Sequence, residues 1–569
     1  MPAKKTTAKK KAAKKTAPKR AVRPAARKAP ARKTAARRAA VPAPETPAQP
    51  FKITYATLAV PSEELHIRYE VALAKVRESL GETLPMVIDG QPRYTDRTFE
   101  DRSPINTDWL LGVFQRGTPR DVEDAVAAAK AAFPVWSRLP WTERVKIMRR
   151  AADLISERAF EIAALMSLEV GKNRLEALGD VEETADLIRY YCDQMEANDG
   201  YIKPMKQESP KHHNRSVLKP YGVWAVISPF NFPLALAGGP AGAALLAGNT
   251  VVFKPASDTP YVGYKLYEIF RDAGVPPGAF NYITGGGSEV GDPLVLHPDV
   301  AGITFTGSYE VGMSIYRKVA ASTKHPKPII LEMGGKNPVI ISRHADLDRA
   351  ALGCMRSAFG LQGQKCSAAS RIYVERPVRD AFLEKFLDLT SQIRIGDPTQ
   401  RDVFLGPVIN RTAYEKFQRY MEILRRDGVV LFGGNVLTDG EFAKGYFVEP
   451  TVVDGLPPDH PLLKEEMFLP ITCIVTVDSL DEAMRYANDV DYGLTAGFYS
   501  NDPDEIQWFF DHIEAGVTYV NRAAGATTGA WPGYQPFGGW KASGSTGRGS
   551  GGPYYLIQYL REQSQTVID

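Results

Sequence analysis

The order of apolar and polar residues predicts that helices and strands alternate from about residue 51 onward. Apolar positions recur at helical spacing in three stretches, residues 121–133, 143–170 and 181–195. Two further helices are predicted over residues 234–247, where Gly248-Asn249 stops the helix, and over residues 260–273. Short apolar runs typical of buried strands lie between them, at residues 223–227, 250–253, 280–283, 302–305 and 329–331.

This alternation indicates an α/β fold. Strands that alternate with helices of about a dozen residues form parallel sheets, because each helix returns the chain to the same edge. A second α/β set is predicted from about residue 338 to 520. Since a chain of 569 residues is too long for one hydrophobic core, two or more packed units are expected.

Composition bears on where the protein works. No apolar run approaches the roughly 20 residues that span a bilayer, so a soluble protein is expected. Residues 1–50 contain no Leu, Ile or Phe and lack the apolar core of a secretory signal peptide. They are basic, as mitochondrial presequences are, but they are rich in Pro and lack an apolar helical face. A cytoplasmic location is predicted, or the mitochondrial matrix if the source is eukaryotic.

The cysteines are widely spaced and form no Cys-x-x-Cys pair: Cys192, Cys354, Cys366 and Cys473. This spacing disfavours a disulfide framework or a zinc site and indicates reduced thiols in an intracellular enzyme. His212 and His213 are adjacent in a polar stretch that is typical of exposed surface. No metal site is therefore predicted.

Charge is segregated along the chain. Residues 1–50 hold sixteen Lys and Arg against the single acid Glu45, whereas the remainder holds 54 basic and 65 acidic residues. A segment with so little to bury cannot offset its ordering entropy, so disorder is predicted for residues 1–50. Its composition resembles linker-histone tails, which indicates weak polyanion binding by counterion release. The alternative is a solvated tail that aids solubility.

Four short stretches carry chemistry. Cys366 lies among small and polar residues with Lys365 beside it, and a nearby cation is expected to lower the pKa of the thiol for nucleophilic attack. Glu332 ends an apolar strand before two glycines, where desolvation raises the pKa of a carboxylate that acts as general base for water. Asn231, fixed between aromatic rings and prolines, offers an amide donor to an oxyanion. Glycines at 285–291 and 307 mark turns that admit phosphates to helix N-termini.

Together these stretches resemble the aldehyde dehydrogenase superfamily, in its order and roughly at its separations. Lys254-Pro255, Glu466-Met-Phe468 and Pro536-Phe-Gly-Gly539 match as well, and the resemblance covers about residues 51–569. It implies that Cys366 attacks an aldehyde, that Asn231 and the Cys366 backbone N–H hold the oxyanion, and that Glu332 activates water against the thioester. It further implies NAD as cofactor, in contact with Ser228, Lys254, Ser257, Gly287, Phe305, Gly307, Ser308, Val311, Glu466 and Phe468.

Three positions depart from the family pattern. The family commonly has Glu where this chain has Ser257. Loss of that carboxylate removes repulsion against a 2′-phosphate, so tolerance of NADP beside NAD is expected. Leu469 stands where Gly is usual, and Phe230 replaces the commoner Trp. None of these changes touches the acyl chemistry.

Four further stretches resemble the Δ1-pyrroline-5-carboxylate (L-glutamate γ-semialdehyde) dehydrogenases: residues 169–173, 360–371, 521–530 and 543–555. The resemblance implies that the backbone N–H groups of Gly529 and Ala530, with the Ser367 hydroxyl, anchor the substrate α-carboxylate as an anion nest, and that Phe537 borders the substrate. The implied reaction oxidises L-glutamate γ-semialdehyde to L-glutamate, the second step of proline breakdown. No fused proline dehydrogenase domain is expected, which makes a separate proline dehydrogenase the metabolic partner.

Two alternatives stay open. One is an aldehyde dehydrogenase with a different aldehyde substrate, which saturation kinetics across aldehydes distinguishes. The other, from a different class, is a polyanion- or nucleic-acid-binding protein acting through residues 1–50. Salt-sensitive DNA binding without turnover would mark it.

The resemblance also implies an architecture. A Rossmann-like NAD(P)-binding domain is expected at about residues 51–333 and an α/β catalytic domain at about 334–534, with the active site in the cleft between them. A hairpin at residues 201–220 serves oligomerisation, and the C-terminal segment 535–569 completes the cofactor domain and the oligomer contacts. A homodimer or a higher homo-oligomer is expected.

Overall fold

The computed structural model describes Ile53, residues 61–523 and residues 532–569. The disorder predicted for residues 1–50 and the predicted anchor residues Gly529 and Ala530 lie outside these ranges. Within the ranges the α-helices are α1 (Glu63–Glu78), α2 (Pro119–Arg138), α3 (Trp141–Glu157), α4 (Ala159–Val170), α5 (Arg174–Ala197), α6 (Ala235–Ala247), α7 (Pro260–Asp272), α8 (Asp292–Leu296), α9 (Tyr309–Ser322), α10 (Leu347–Phe359), α11 (Arg379–Ser391), α12 (Arg411–Asp427), α13 (Leu480–Asn488) and α14 (Pro503–His512).

The strands fall into two large and three small sheets. In chain order they are β1 (Glu82–Leu84), β2 (Met86–Ile88), β3 (Gln91–Arg93), β4 (Thr98–Arg102), β5 (Leu110–Gln115), β6 (Ile202–Pro204), β7 (His212–Pro220), β8 (Val223–Ile227), β9 (Thr250–Lys254), β10 (Phe280–Tyr282), β11 (Val300–Thr306), β12 (Ile329–Glu332), β13 (Asn337–Ile341), β14 (Ala369–Glu375), β15 (Val429–Phe432), β16 (Thr451–Asp454), β17 (Ile471–Val477), β18 (Tyr492–Gly493), β19 (Thr495–Tyr499), β20 (Val517–Val520), β21 (Trp540–Lys541) and β22 (Leu560–Ile568). The small sheets are β1-β5-β4, β18-β21 and β22-β7-β6.

The first large sheet has the spatial order β12-β11-β8-β9-β10-β2-β3. Its five strands from β12 to β10 are parallel, and β2 and β3 add an antiparallel edge. The apolar face predicted for residues 121–133 covers this sheet, because Val122, Ala125, Val126 and Ala129 of α2 pack in one core with strand residues such as Val252. The sheet therefore gathers the carboxyl ends of five strands at one edge.

The second large sheet has the order β15-β16-β17-β14-β13-β19-β20. All neighbours in it are parallel except the antiparallel edge pair β15 and β16. Apolar cores cover both sides of it, one built around α12, α13 and α14 and the other around α10 and α11. The second α/β set predicted between residues 338 and 520 is confirmed.

The segment predicted as a hairpin at residues 201–220 contains β6 and β7, and β22 pairs with β7 over nine residues, from Leu560 opposite Pro220 to Ile568 opposite His212. This sheet is antiparallel and largely exposed, with Val567 and Ile568 57% and 64% accessible. His213 is exposed and shares a 2.6 Å hydrogen bond with Asp569.

One predicted helical stretch is interrupted. Residues 143–170 form two helices rather than one continuous stretch, because the backbone leaves the helical region at Arg158 (φ −101°, ψ 12°) between α3 and α4. The predicted stop after residue 247 is confirmed, since Gly248 takes the left-handed conformation (φ 98°) that favours glycine. None of the helices in the described ranges is long and apolar enough to cross a membrane.

Candidate active site

A cleft of about 810 Å³ opens at the carboxyl edge of the first large sheet. The segments that follow β8, β9, β11 and β12 line one side, and Cys366, Glu466 and Phe468 line the other. Eleven of the predicted site residues are brought together here: Cys366, Asn231, Ser228, Lys254, Gly287, Phe305, Gly307, Ser308, Val311, Glu466 and Phe468. Crevices beyond the carboxyl ends of parallel strands are the usual ligand sites of α/β folds.

The candidate nucleophile follows a strained turn. Leu361, Gln362 and Gly363 all have positive φ (47°, 56° and 64°), which places two non-glycine residues in the left-handed region. The turn brings Cys366 to the cleft, where it is half-buried.

The predicted effect of Lys365 on the thiol is wrong. The Lys365 Nζ turns away from the cleft and donates to Glu176 Oε1 at 2.6 Å, because a buried ammonium needs a carboxylate partner. Burial raises the pKa of the Cys366 thiol to about 12, and the carboxylates of Glu466 and Glu332 raise it further. The thiol is therefore protonated at neutral pH, and a nucleophilic role would require a base.

Glu332 stands at the end of β12, next to the cleft residues Met333 and Gly334. Its Oε2 accepts a hydrogen bond of 3.2 Å from the Gly539 backbone N–H, and its Oε1 is buried without a partner among the described residues. Burial raises the pKa of this carboxyl to about 8, as the sequence predicted in direction. A carboxylate with a free oxygen and a pKa near neutrality suits general-base chemistry.

Asn231 lies four residues after β8 and is 3% exposed, with its side chain on the cleft wall. Phe230 beside it meets Phe468 edge-on, with ring centroids 5.9 Å apart. Phe468 itself has a positive φ of 54°. The two rings join the loop after β8 to the Glu466–Phe468 segment across the cleft.

Glu466 accepts a hydrogen bond of 2.8 Å at Oε1 from the Gly335 backbone N–H. Burial raises the pKa of the Glu466 carboxyl to about 7. The Lys254 Nζ donates to the Pro255 carbonyl oxygen at 3.0 Å, and burial lowers the pKa of its ammonium to about 8. Both polar groups thus lie in a desolvated cleft wall.

A helix N-terminus faces the same space. Ser308 caps α9, since its Oγ accepts from the Val311 N–H at 3.3 Å, and Gly287, Phe305 and Gly307 lie around it on the cleft wall. The first N–H groups and the dipole of a helix favour an anionic group such as a phosphate.

Besides Glu332, which adjoins the cleft as described above, three predicted site residues within the described ranges do not line it. Ser257 is exposed, whereas its neighbour Ala256 lines the wall. Ser367 is buried beside Cys366, and its carbonyl oxygen accepts from Thr495 Oγ1 at 3.4 Å. Phe537 is half-buried and pairs through two backbone hydrogen bonds with Ser550.

Sequence reasoning missed the carboxylates that hold the two catalytic loops. Glu176 bonds Lys365 next to the cysteine, and Asp180 bonds the backbone N–H of Ala235 after the Asn231 loop. Both lie on α5, more than 50 positions before the loops that they contact. Their helical spacing of four was the only available signal, and it is common on any helix.

Residues 92–565 match the Aldehyde dehydrogenase family. The chain belongs to the aldehyde dehydrogenase family. Its fold is the mixed α/β aldehyde dehydrogenase fold, with a Rossmann-like parallel sheet and a second sheet that carries the cysteine loop.

Several relatives of this aldehyde dehydrogenase are named for one substrate. It is 40% identical over 507 residues to a 1-pyrroline-5-carboxylate dehydrogenase of Geobacillus sp. (strain WCH70). The matched region covers 88% of this chain and 96% of that protein. A crystal structure of a 1-pyrroline-5-carboxylate dehydrogenase from Thermus with bound NAD is similar, with a TM-score of 0.86, 36% identity, and coverage of 92% of this chain and 100% of that one.

A longer protein also matches. Proline utilization A of Bdellovibrio bacteriovorus superposes with a TM-score of 0.84 at 37% identity over 88% of this chain. The chain spans about half the length of that protein, since 51% of it is covered.

Replacement of Asn231 by alanine tests the prediction that its side-chain amide stabilises an oxyanion. We expect kcat to fall by about 10²- to 10³-fold, because one oriented amide N–H would no longer meet the developing negative charge. KM should change little, since the contact forms mainly in the transition state. Steady-state kinetics measure both constants, and a variant that raises KM while keeping kcat would assign Asn231 to ground-state binding instead.

Proposed function

We propose that this aldehyde dehydrogenase oxidises L-glutamate γ-semialdehyde, the open form of Δ1-pyrroline-5-carboxylate, to L-glutamate with NAD. The observation that carries the proposal is the meeting of Cys366 and Asn231 in one cleft, with Glu332 directly behind it. Relatives that share 40% of the residues over almost their whole length and bear the name of this reaction support the substrate.

The cleft fits a dinucleotide. Its volume of about 810 Å³ lies within the range of small-molecule sites. The cap of α9 offers N–H groups to a pyrophosphate, and a side chain at Gly287 would meet open space. The buried Ser228 Oγ on the wall has no partner among the residues described. When bound, NAD supplies the hydride acceptor for the reaction.

Residue roles toward the cofactor follow the cleft. We assign Gly307 and Ser308 to the pyrophosphate, Lys254 to the adenosine ribose and Glu466 to the nicotinamide ribose. The remaining wall residues border the cofactor: Ser228, Gly287, Phe305, Val311 and Phe468. Ser257 would lie at the 2′ position of that ribose.

In the acylation half, the Cys366 Sγ attacks the aldehyde carbon and loses its proton. Glu332 is the available base, because its pKa of about 8 leaves a fraction ionised at neutral pH. The carbonyl oxygen becomes an oxyanion that the Asn231 amide and the Cys366 backbone N–H hold by hydrogen bonds. Departure of the hydride leaves a thioester on Cys366.

In the deacylation half, Glu332 first releases the thiol proton to solvent and then removes a proton from water at Oε1, which has no partner among the described residues. The water oxygen attacks the thioester carbon, and the carbon–sulfur bond breaks to release L-glutamate and Cys366. The Gly539 N–H keeps the other carboxylate oxygen in place during this step. We assign Ser367, Gly529, Ala530 and Phe537 to the substrate, with the first three on its α-carboxylate.

The wider organisation is proposed on the same basis. We divide the chain into an NAD(P)-binding domain at residues 51–333, a catalytic domain at 334–534 and a C-terminal segment at 535–569. The exposed sheet β22-β7-β6 supports oligomer formation, and the basic composition of residues 1–50 supports weak polyanion binding. A proline dehydrogenase would supply the substrate. All four cysteines are free thiols, which supports a cytoplasmic location.

The test of the substrate is NADH formation with Δ1-pyrroline-5-carboxylate beside acetaldehyde, propanal and succinic semialdehyde. We expect the highest kcat/KM for Δ1-pyrroline-5-carboxylate. Turnover of the other aldehydes without this one would keep the thioester mechanism and overturn the assignment to proline breakdown. DNA binding that is salt-sensitive, in a protein without any turnover, would favour the polyanion-binding alternative.

Replacement of Ser257 by glutamate tests cofactor choice. Like charges about 4 Å apart near a protein surface repel by about 1–4 kcal/mol, so we expect the KM for NADP to rise about tenfold or more while that for NAD stays within about twofold. Ser257→Gln, which adds the same bulk without charge, is the control. Equal changes for both cofactors in the glutamate variant would remove Ser257 from the 2′ site.

A further inference from the structure

Helix α5 places two carboxylates one turn apart on the same face, the partly buried Glu176 and the fully buried Asp180. Residues at i and i+4 of a helix point in one direction. Each of these carboxylates contacts a different catalytic loop. The loop at residues 228–235, which carries Asn231, is termed the oxyanion loop below, and the loop at residues 360–366, which ends in Cys366, is termed the nucleophile loop.

Asp180 holds the oxyanion loop by two routes. Its Oδ1 accepts from the Ala235 backbone N–H at 2.8 Å and so caps α6 from another helix, because Leu234 supplies no side-chain cap. Its Oδ2 accepts from the Lys172 Nζ at 2.8 Å, and both side chains are fully buried. That ammonium lies 3.8 Å from the centre of the Phe232 ring, next to Asn231.

Glu176 holds the nucleophile loop in the same manner. Its Oε1 accepts from the Lys365 Nζ at 2.6 Å, one residue before the cysteine. Its Oε2 accepts from the Leu361 backbone N–H at 3.0 Å, at the first residue of the left-handed turn. Both oxygens of one carboxylate thus bind the loop at its two ends.

The nucleophile loop needs such a restraint. Two consecutive non-glycine residues with positive φ, Leu361 and Gln362, are strained and persist only where neighbouring groups fix them. The Gln362 Nε2 donates to the Gly171 carbonyl oxygen at 2.9 Å, one residue before Lys172. The segment from Gly171 to Asp180 is therefore the common support of both loops.

We propose that Glu176 and Asp180 are positioning residues that fix the nucleophile loop and the oxyanion loop relative to each other, and thereby set the distance between the Cys366 sulfur and the Asn231 amide. The proposal rests on the roles given above to Cys366 and Asn231. It goes beyond them in assigning the alignment of the two groups to one helix face. A misplacement of about 1 Å in such a pair costs about 10²-fold in rate.

The proposal is tested by removing the negative charges of Glu176 and Asp180. Glu176→Gln and Asp180→Asn keep the shape of each side chain but remove its charge. The ion pair with the lysine is lost and the hydrogen bond from the backbone N–H is weakened. Because a single change leaves a buried ammonium unpaired and can impair folding, the double variants Glu176→Gln with Lys365→Met and Asp180→Asn with Lys172→Met accompany them. Glu182→Gln is the matched control, since Glu182 is a buried carboxylate of α5 that accepts a hydrogen bond from Ser156 of α3.

Two reagents distinguish effects on the nucleophile loop from effects on the oxyanion loop, and both are applied to the cofactor-free full-length protein. Iodoacetamide alkylates the Cys366 sulfur with loss of iodide and needs no oxyanion donor. p-Nitrophenyl acetate acylates the same sulfur with loss of p-nitrophenolate and develops an oxyanion on its carbonyl oxygen. Mass spectrometry of the Cys366 peptide gives both rates, and a thermal unfolding scan verifies that each variant is folded.

We expect the Glu176 variants to slow both reactions by about 10- to 100-fold, and the Asp180 variants to slow acylation by that factor while alkylation stays within about twofold. Glu182→Gln should match the wild type in both. With an aldehyde that turns over, kcat should fall with KM within about threefold. Wild-type rates in the folded double variants, or equal slowing of both reactions by the Asp180 variants, would overturn the proposal.

These outcomes are independent of the aldehyde. If Δ1-pyrroline-5-carboxylate is not the substrate, the reagent rates still report the two loops. If neither reagent modifies Cys366 in the wild type, the role of the cysteine itself fails, and the proposal that rests on it is overturned with it.

Discussion

Replacement of Cys366 by alanine is expected to abolish aldehyde oxidation, with a loss of about 10⁴-fold or more in kcat. The sulfur forms the only covalent bond to the substrate, and enzymes that lose such a nucleophile keep only what binding and oxyanion stabilisation supply. NADH formation with Δ1-pyrroline-5-carboxylate measures the loss. The affinity for NAD, measured by quenching of protein fluorescence, should be unchanged.

The chain offers a matched control for this variant. Cys354 is fully buried in the core beneath the second large sheet, and burial keeps its thiol protonated. Cys354→Ala removes the same sulfur atom from a position away from the cleft, so activity should stay within about twofold. Comparable losses in the two variants would mean that cysteine removal acts through folding, and full activity of Cys366→Ala would refute the thioester mechanism.

Replacement of Glu332 by glutamine is expected to stop the enzyme at the thioester. Acylation should still release up to one NADH per active site, but more slowly than in the wild type, because water instead of Glu332 must take the thiol proton. Turnover after this first event should fall by about 10²- to 10⁴-fold, because no base activates water. Rapid-mixing absorbance records the burst, and mass spectrometry of the intact protein detects the acyl adduct. Hydroxylamine, which attacks thioesters without a base, should restore release.

The pH dependence of the same step has a definite sign. Burial raises the pKa of Glu332 to about 8, and only the ionised form is a base, so the deacylation rate should rise with pH through about 8 and level off above it. At pH 7 about a tenth of the carboxyl would be ionised. Single-turnover measurements across this pH range should show the rise in deacylation rate in the wild type and no rise in Glu332→Gln. A rise in rate with pH that persists in the variant would show that another group titrates.

Local elements were predictable wherever the signal lay within a short window. The strand at residues 223–227 was predicted to the residue, because five apolar side chains stand between turn signals. The helix predicted at 234–247 ends where expected, since a glycine in the left-handed conformation follows it, and begins one residue later, at Ala235. The break at Arg158 was missed because the apolar pattern continues through it, and the pattern records burial but not backbone angles.

The site was predictable in its residues but not in its electrostatics. Cys366 and Asn231 line one cleft as their motifs indicated. The prediction that Lys365 lowers the pKa of the Cys366 thiol was wrong. The partner of Lys365 is Glu176, which lies 189 positions earlier in the chain, where no local pattern marks it. The hydrogen bond that Gly539 donates to Glu332 was equally invisible. Contacts of this range arise from tertiary packing, which a single sequence records only as compatible residue types.

The bond between Gly539 and Glu332 joins positions 207 apart, and it has a consequence for synthesis. On the ribosome the first large sheet and the cysteine loop emerge well before residue 539, so Glu332, the carboxylate proposed to activate water, lacks this hydrogen bond in the nascent chain. Folding domains form as they leave the exit tunnel, but this contact waits for the C-terminal segment. With the role proposed for Glu332, hydrolysis of the thioester is expected to reach its full rate only late in translation, after both large sheets have been made.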